Sequence, residues 1–347
     1  MSIIVALIIF SLIILFHEFG HFLLAKLNHV TVLEFSLGMG PRILSFEKGG
    51  TRYSWKALPF GGSCMMLGEE EGDRGEGSFG SKNVWQRISV IAAGPVFNFI
   101  MAFVCSLFII GAAGYDAPVV LSVSEGYPAQ EAGIEAGDTI VSINGKKTYL
   151  YRQVSDYVTF HQDRLKEGPI TVVYEHEGER KTVSIQAEDT GEGRYIMGIS
   201  GSSSYRTRAN VWSTIKYSAI EVGYWIETTW MSLGMMLHGG VSLQDVSGPV
   251  GVVSAIGETY QESRADGWFY VWLNMLNMAI LLSANLGVMN LLPFPALDGG
   301  RLVFLILEAI RGKRLDPELE GKIHLAGLAA LMGLMVIILF SDINKLL

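Results

Sequence analysis

Residues 3–27 read IIVALIIFSLIILFHEFGHFLLAKL, an apolar run interrupted by His17-Glu18-Phe19-Gly20-His21. A hydrocarbon core roughly 30 Å thick needs about 20 apolar helical residues to cross it, and Ile3–Leu27 is long enough. Ionisable groups near the middle of such a helix are costly, about 2.5–3.5 kcal/mol each for Asp, Lys or Arg on insertion scales. Three of them within five positions therefore call for a reason other than packing. The i, i+4 spacing puts both imidazoles on one helical face, where His17 and His21 can bind one zinc ion. Glu18 then stands beside the metal, placed to take a proton from water.

Outward from this run the chain stays apolar. Of 347 residues, 50% are hydrophobic and 17% charged, with a mean hydropathy of +0.34. An ordinary soluble domain carries about 25% charged residues. These values exclude a disordered chain and weigh against a single soluble globule. The net charge of −8, without a basic stripe, argues against nucleic acid as a partner. Two cysteines, Cys64 and Cys105, are too few for a disulfide scaffold. Further spans are expected at Ile88–Gly114 and Val271–Leu292, with a shorter one at Leu325–Phe340. The apolar residues of Val211–Leu237 recur at helical spacing among Lys216, Glu221 and Glu227, which predicts an amphipathic helix lying at the interface. The expected fold is a polytopic α-helical membrane protein with four transmembrane helices, carrying a β-hairpin region and an inserted α+β domain.

The first run is not read as a cleaved signal peptide, because no Lys or Arg precedes it and no small-residue cleavage site follows. Basic residues set the expected direction. Lys26, Lys82 and Arg87 flank the loop after the first span, and Arg301, Arg311, Lys313, Arg314 and Lys322 follow the third. By the positive-inside rule these loops are cytoplasmic, both termini are outside, and 115–267 is extracytoplasmic. The expected division is 1–114 as a first membrane half, 115–204 as the inserted domain, 205–267 as interfacial helix and linker, and 268–347 as a second membrane half.

Arg42–Glu47 and Thr51–Ala57 alternate polar and apolar residues around Lys48-Gly49-Gly50, the pattern of a β-hairpin. The charged, glycine-containing stretch Glu69–Glu76 reads as a solvated loop. Directly after the third span comes Asn290-Leu291-Leu292-Pro293-Phe294-Pro295-Ala296-Leu297-Asp298-Gly299-Gly300. Pro293 and Pro295 force the chain off the helical path, and the two glycines permit backbone angles that other residues avoid. Asp298 is the candidate for a third metal ligand, since catalytic zinc usually takes three protein ligands. The same segment reads equally as a helix stop with Asp298 as a solvated cap. Counted at 1.5 Å per residue from Ile3, His17 lies roughly 21 Å into the membrane, in the half toward which the third span delivers Asp298.

Together these motifs resemble the bacterial site-2 proteases of the regulator-of-sigma-E protease type, over essentially the whole chain. The Asn290–Gly300 segment is similar to that family's Asn-x-x-Pro-x-Pro-x-Leu-Asp-Gly motif. The resemblance implies Asp298 as third ligand beside His17 and His21. Gly38-Met39-Gly40-Pro41 and Leu58-Pro59-Phe60-Gly61-Gly62 resemble the family's membrane-associated β-loop. Trp85-Gln86-Arg87 through Ala93-Gly94-Pro95-Val96-Phe97-Asn98 is similar to its second-span signature, and Ser247-Gly248-Pro249-Val250-Gly251 to its approach to the third span. Gly126-Tyr127-Pro128-Ala129, Gly137-Asp138-Thr139-Ile140, Ile143-Asn144-Gly145 and the closing Arg194–Ile199, with Gly198, look like one PDZ module, where better-known members carry two.

The expectation is thus an intramembrane zinc endopeptidase of the bacterial cytoplasmic membrane, cutting single-span membrane proteins within the lipid bilayer. By resemblance its role is regulated intramembrane proteolysis, releasing an anti-sigma factor or clearing signal-peptide remnants. Substrate would unwind and pair with a strand of the 42–57 hairpin, with Asn290, Pro293 and Pro295 lining the cleft. The PDZ groove offers a site for a C-terminal peptide, or the domain filters substrates by bulk. Two rivals remain: an ion or proton transporter, and a PDZ scaffold with a structural zinc. Glu18 discriminates against the scaffold, which needs ligands but no base.

Overall fold

A computed structural model describes residues 2–69, 75–191, 193–201, 206–238, 247–314 and 316–346. In chain order its elements begin with α1 (Ser2–Leu27), β1 (Val32–Lys48), β2 (Thr51–Met66) and α2 (Val84–Ala113). Then come β3 (Ser122–Val123), α3 (Pro128–Glu131), β4 (Thr139–Ile143), β5 (Lys146–Lys147), α4 (Tyr151–Phe160) and α5 (Gln162–Glu167). These are followed by β6 (Ile170–His176), β7 (Glu179–Ile185), β8 (Glu188–Asp189), β9 (Tyr195–Ile196) and β10 (Ile199–Ser200). The chain ends in α6 (Val211–Leu237), α7 (Pro249–Asp266), α8 (Trp268–Leu291), α9 (Asp298–Arg311) and α10 (Pro317–Leu346). It divides into two units, Met1–Ser106 with Trp225–Leu347, and Leu107–Tyr224.

Among the described residues four helices are long and apolar enough to cross a membrane: Ile3–Leu27, Val84–Ala113, Trp268–Leu291 and Glu318–Lys345. The fourth is much longer than the 16 apolar residues of Leu325–Phe340 suggest, because polar turns extend α10 at both ends. α6 is a helix as expected and is not among the four. The stretch expected as linker after it contains α7, which packs against α1 and α8 and buries Ile256, Tyr260 and Ser263. No side chain of its own caps α7. Its first amides are met from α10, where Asp342 accepts from Gly248 N–H at 3.0 Å and Gly251 N–H at 2.9 Å. A helix start needs such acceptors, and here they come from more than ninety residues away.

The hairpin is longer than 42–57 and folds back on itself. Gly49 and Gly50 both take positive φ, 58° and 71°, as a two-residue turn between right-twisted strands requires. Arg42–Lys48 pairs antiparallel with Lys56–Thr51. Residues 34–37 have partners on both edges: Met65–Gly62 running against them and Arg52–Trp55 running with them. The sheet order is therefore 62–65, 34–37, 52–55, 42–47. Breaks in register at 38–42 make the fold-back possible. Glu34, buried in the second strand, accepts both Arg42 Nε at 3.0 Å and Arg42 Nη2 at 2.7 Å. That guanidinium holds the Glu34 carboxyl down to about 2.

α1 and α2 approach through glycine. A Cβ on Gly20 would overlap the Ala93 carbonyl, and one on Gly94 would overlap the rings of His21 and His17. Small residues at a crossing let helices pack closely where no hydrophobic effect drives them together. In the other unit a four-stranded sheet runs β5-β4-β6-β7 over a core of Ile134, Ile140, Ile143, Leu165, Ile170, Val172 and Ile185. Asn144 and Gly145, both at positive φ, turn β4 into β5. Arg152 is held by Asp116 at 3.0 Å and by Glu221 of α6 at 3.0 Å, with the Tyr224 ring against it.

Candidate metal centre

His17 and His21 lie one turn apart on α1 and both are buried. Asp298 reaches them from the first turn of α9, where the helix dipole favours a carboxylate. His17 Nε2 and His21 Nε2 stand 3.2 Å apart, and Asp298 Oδ2 is 3.2 Å from the first and 3.4 Å from the second. The nitrogens at the far side of each ring are engaged. His21 Nδ1 donates to the Val90 carbonyl at 2.9 Å, which leaves a lone pair on Nε2. The Asn98 amide nitrogen lies 3.1 Å from His17 Nδ1, and Ser283 Oγ donates to the Asn98 carbonyl at 2.8 Å. Ligation through His17 Nε2 leaves the proton on Nδ1, and in that state Asn98 presents its amide oxygen.

Asp298 Oδ2 is buried without a hydrogen bond. Three atoms able to ligate a metal thus converge within 4.8 Å of one another, an arrangement that a cation suits. A tetrahedral zinc with ligands at about 2.0–2.2 Å would separate them by roughly 3.3–3.6 Å. The observed triangle fits a zinc ion, and the carboxylate and two imidazoles are the donor set zinc takes. Glu18 is half-buried, within electrostatic reach of all three groups, and accepts the Cys64 N–H. Its Cγ lies against the Cα of Gly62, where an added Cβ would stand 3.2 Å away. The strand beside Glu18 is accordingly 61–66, while the 42–48 edge lies at the far side of the sheet, with two strands between.

Two expectations about the polar segments need correction. Gly299 and Gly300 are not at positive φ; the left-handed residue is Ala296, at 77°. The glycines serve space instead: a Cβ on Gly299 would overlap the carbonyls of Leu291 and Leu292, and one on Gly300 that of Phe294, as the chain folds over the first turn of α9. Glu69 is not a solvated charge, being mostly buried and paired with Arg301; residues 70–74 of that stretch lie outside the described residues. Of the candidate substrate residues, Asn290 is half-buried in the last turn of α8, Pro293 is exposed, and Pro295 packs on Gly327 of α10. Sequence reasoning gave Asn98 and the Val90 carbonyl no role in the site. Their signal was the polar Asn98 inside an apolar span. A cavity of about 610 Å³ reaches Asp298 and is lined by Arg87, Arg301, Glu308, Arg314 and Glu320. Arg87 is paired in it with Glu308, with Arg87 Nη1 at 3.1 Å from Glu308 Oε2.

Residues 5–334 match the sequence profile of Peptidase family M50. The chain belongs to that family. A putative zinc metalloprotease of Clostridium acetobutylicum is 36% identical over 343 residues, covering 99% of this chain and 97% of that one. The regulator of sigma-W protease RasP of Bacillus subtilis is 31% identical over 432 aligned residues, covering 99% of each chain. A PDZ domain of the SdrC-like protein of Listeria monocytogenes matches 25% of this chain and 85% of its own length, at 25% identity and a TM-score of 0.20, too slight a likeness to carry an argument. As an M50 member the chain is a zinc metalloendopeptidase of the site-2 type, with zinc as its cofactor and four candidate membrane helices.

Proposed function

We propose that the chain cleaves single-span membrane proteins inside the bacterial cytoplasmic membrane, with His17, His21 and Asp298 holding zinc and Glu18 as the base. The convergence of three atoms able to ligate a metal beside Glu18 carries this reading. Bound zinc supplies a Lewis acid that polarises a carbonyl and brings the pKa of water to about 7. Glu18 takes the proton of the attacking water and passes it to the leaving amine, its carboxylate oriented by the Cys64 N–H. Asn98 and the Val90 carbonyl fix the two imidazoles for ligation.

A transmembrane helix hides its peptide bonds in its own hydrogen bonds, so the substrate must be drawn out before it can be cut. An extended segment is best accepted along strand 61–66, the edge against Glu18, by β-addition. Asn290 and Pro293 border the approach from the α8 side. The charged cavity at Asp298 gives water a route to the site. Trp268, Phe269, Tyr270 and Trp272, exposed at the start of α8, suit a membrane–water interface. In the orientation set by the basic residues, 115–204 is an extracytoplasmic PDZ-like domain that excludes substrates with bulky ectodomains. The substrate class is an anti-sigma factor or a signal-peptide remnant.

The test is zinc content and cleavage of a model single-span substrate by purified variants. Glu18→Gln should keep zinc and lose turnover, while His17→Ala, His21→Ala and Asp298→Ala should each lose zinc. Wild-type turnover in Glu18→Gln would end the mechanism, and full zinc in Asp298→Ala would remove that ligand.

A further inference from the structure

The segment carrying Asp298 is irregular from Leu292 to Leu297, and its one left-handed residue is an alanine. A Cβ is disfavoured in that region, so something must hold the backbone there. The Ala296 N–H donates to His324 Nδ1 of α10 at 3.0 Å. The His324 ring is itself set edge-on against Phe304 of α9, with centroids 5.5 Å apart. One turn further along α10, Gly327 is buried beneath Pro295, and a Cβ there would overlap the proline ring and its carbonyl. Two positions at i, i+3 on one face of α10 thus grip two consecutive residues of the segment, two and three places before Asp298.

α10 is otherwise little engaged: 6% of its most apolar stretch is buried, against 44% for α8. Lipid solubility alone gives no reason for a polar imidazole and a glycine on such a helix to turn toward the same loop. We propose that α10 is a clamp on the third zinc ligand, with His324 and Gly327 as positioning residues that keep Asp298 in the triangle. His324 acts as an acceptor through Nδ1, and Gly327 acts by leaving room. The inference rests on Asp298 being a ligand.

The experiment follows zinc release from the full-length protein in detergent to a colorimetric chelator, alongside thermal unfolding. His324→Leu removes the acceptor and should release zinc about tenfold faster, the scale of one lost hydrogen bond. His324→Asn places an amide oxygen near the position of Nδ1 and should return release to within about twofold of wild type. Gly327→Leu, with His324 intact, should speed release like His324→Leu by displacing Pro295. Asp298→Ala is the control for the ligand reading. If Asp298→Ala releases zinc at the wild-type rate, the ligand assignment and the clamp fall together. If Asp298→Ala is fast but His324→Leu is as slow as wild type, the clamp alone is wrong. Release from His324→Asn as fast as from His324→Leu would also overturn it, since packing rather than the hydrogen bond would then be at stake.

Discussion

α1 and α10 have the same mean hydropathy, 2.5 over their most apolar stretches, and would be interchangeable to any scale of lipid solubility. In α1 28% of that stretch is buried and in α10 only 6%. α1 is wrapped by β1, β2 and α7, and meets α2 through Gly20. α10 meets the rest of its unit at His324, Gly327 and Asp342, with Ile338 set against Gly248. The ionisable groups of the HExxH turn in α1 are packed together at one point. In α10 they pair locally, as Lys322 does with Glu318, while His324 and Asp342 each serve a different backbone. Hydropathy reports that a helix can cross. What the helix is for lies in where its few polar atoms and missing side chains fall.

The sharpest way to break this comparison is to make the same substitution in both neighbourhoods. Gly94 faces the imidazoles of α1, whereas Gly333 of α10 has nothing within 4 Å of an added Cβ. Gly94→Leu should abolish zinc binding and cleavage, because its side chain must occupy the space of the His17 and His21 rings. Gly333→Leu should leave both unchanged and, by removing a helical glycine, stabilise α10 by up to about 1 kcal/mol. Zinc content and thermal unfolding of the two variants decide the matter. Equal damage would mean that α10 is packed far more closely than its exposure implies.

Much of this contrast is legible in the order of the residues, and the unread part has definite causes. HExxH is readable because three ionisable groups within one turn of a span are too costly to persist as packing. Asp298 is readable as an isolated carboxylate after a proline-broken span. α7 escapes the reading because its cap, Asp342, is remote in sequence and its own residues, with Glu258, Glu262, Arg264 and Asp266, are those of a solvated linker. The fold-back of the hairpin escapes it because alternation shows strands but not which edges they share. Gly299 and Gly300 mislead because a glycine needed for space looks the same as one needed for an angle. His324 has no motif at all; its partner is a backbone amide, which no side-chain pattern records.

A smaller effect tests the other end of α10. Asp342 is buried and caps two amides at the start of α7, so Asp342→Ala should destabilise the protein by about 1–3 kcal/mol through unmet buried donors. Asp342→Asn keeps one acceptor and should recover part of that loss. Asp342 bonds the amides that start α7 and lies about five turns of α10 beyond His324, so zinc release at low temperature should stay within about twofold of wild type. Fast zinc release in Asp342→Ala would show that α10 moves as one body and that its two anchors are not separable.

The smallest effect belongs to the sheet that braces α1. Glu34 is held down to about 2 by Arg42, below the ordinary carboxylate value of about 4.3. A folded-state value below the unfolded one gives a stabilisation that is complete above about pH 4.3 and lost as pH falls through about 2. Arg42→Gln removes the bidentate partner, so the carboxyl should titrate closer to its ordinary range and the sheet should loosen at higher pH. Limited proteolysis of the turn at Gly49-Gly50, followed from about pH 6 down to about pH 3 with an acid-stable protease, reads this directly. Wild type should stay protected to about pH 3 and Arg42→Gln should become susceptible near pH ~4. Arg42 pairs with Glu34 of the sheet, whereas the C-terminal turns of α10 are anchored separately through Asp342, so cleavage or labelling of those turns should not differ between the two proteins. If both segments loosen together, the sheet and α10 report one unfolding event, and the division between a braced α1 and a lightly anchored α10 does not hold.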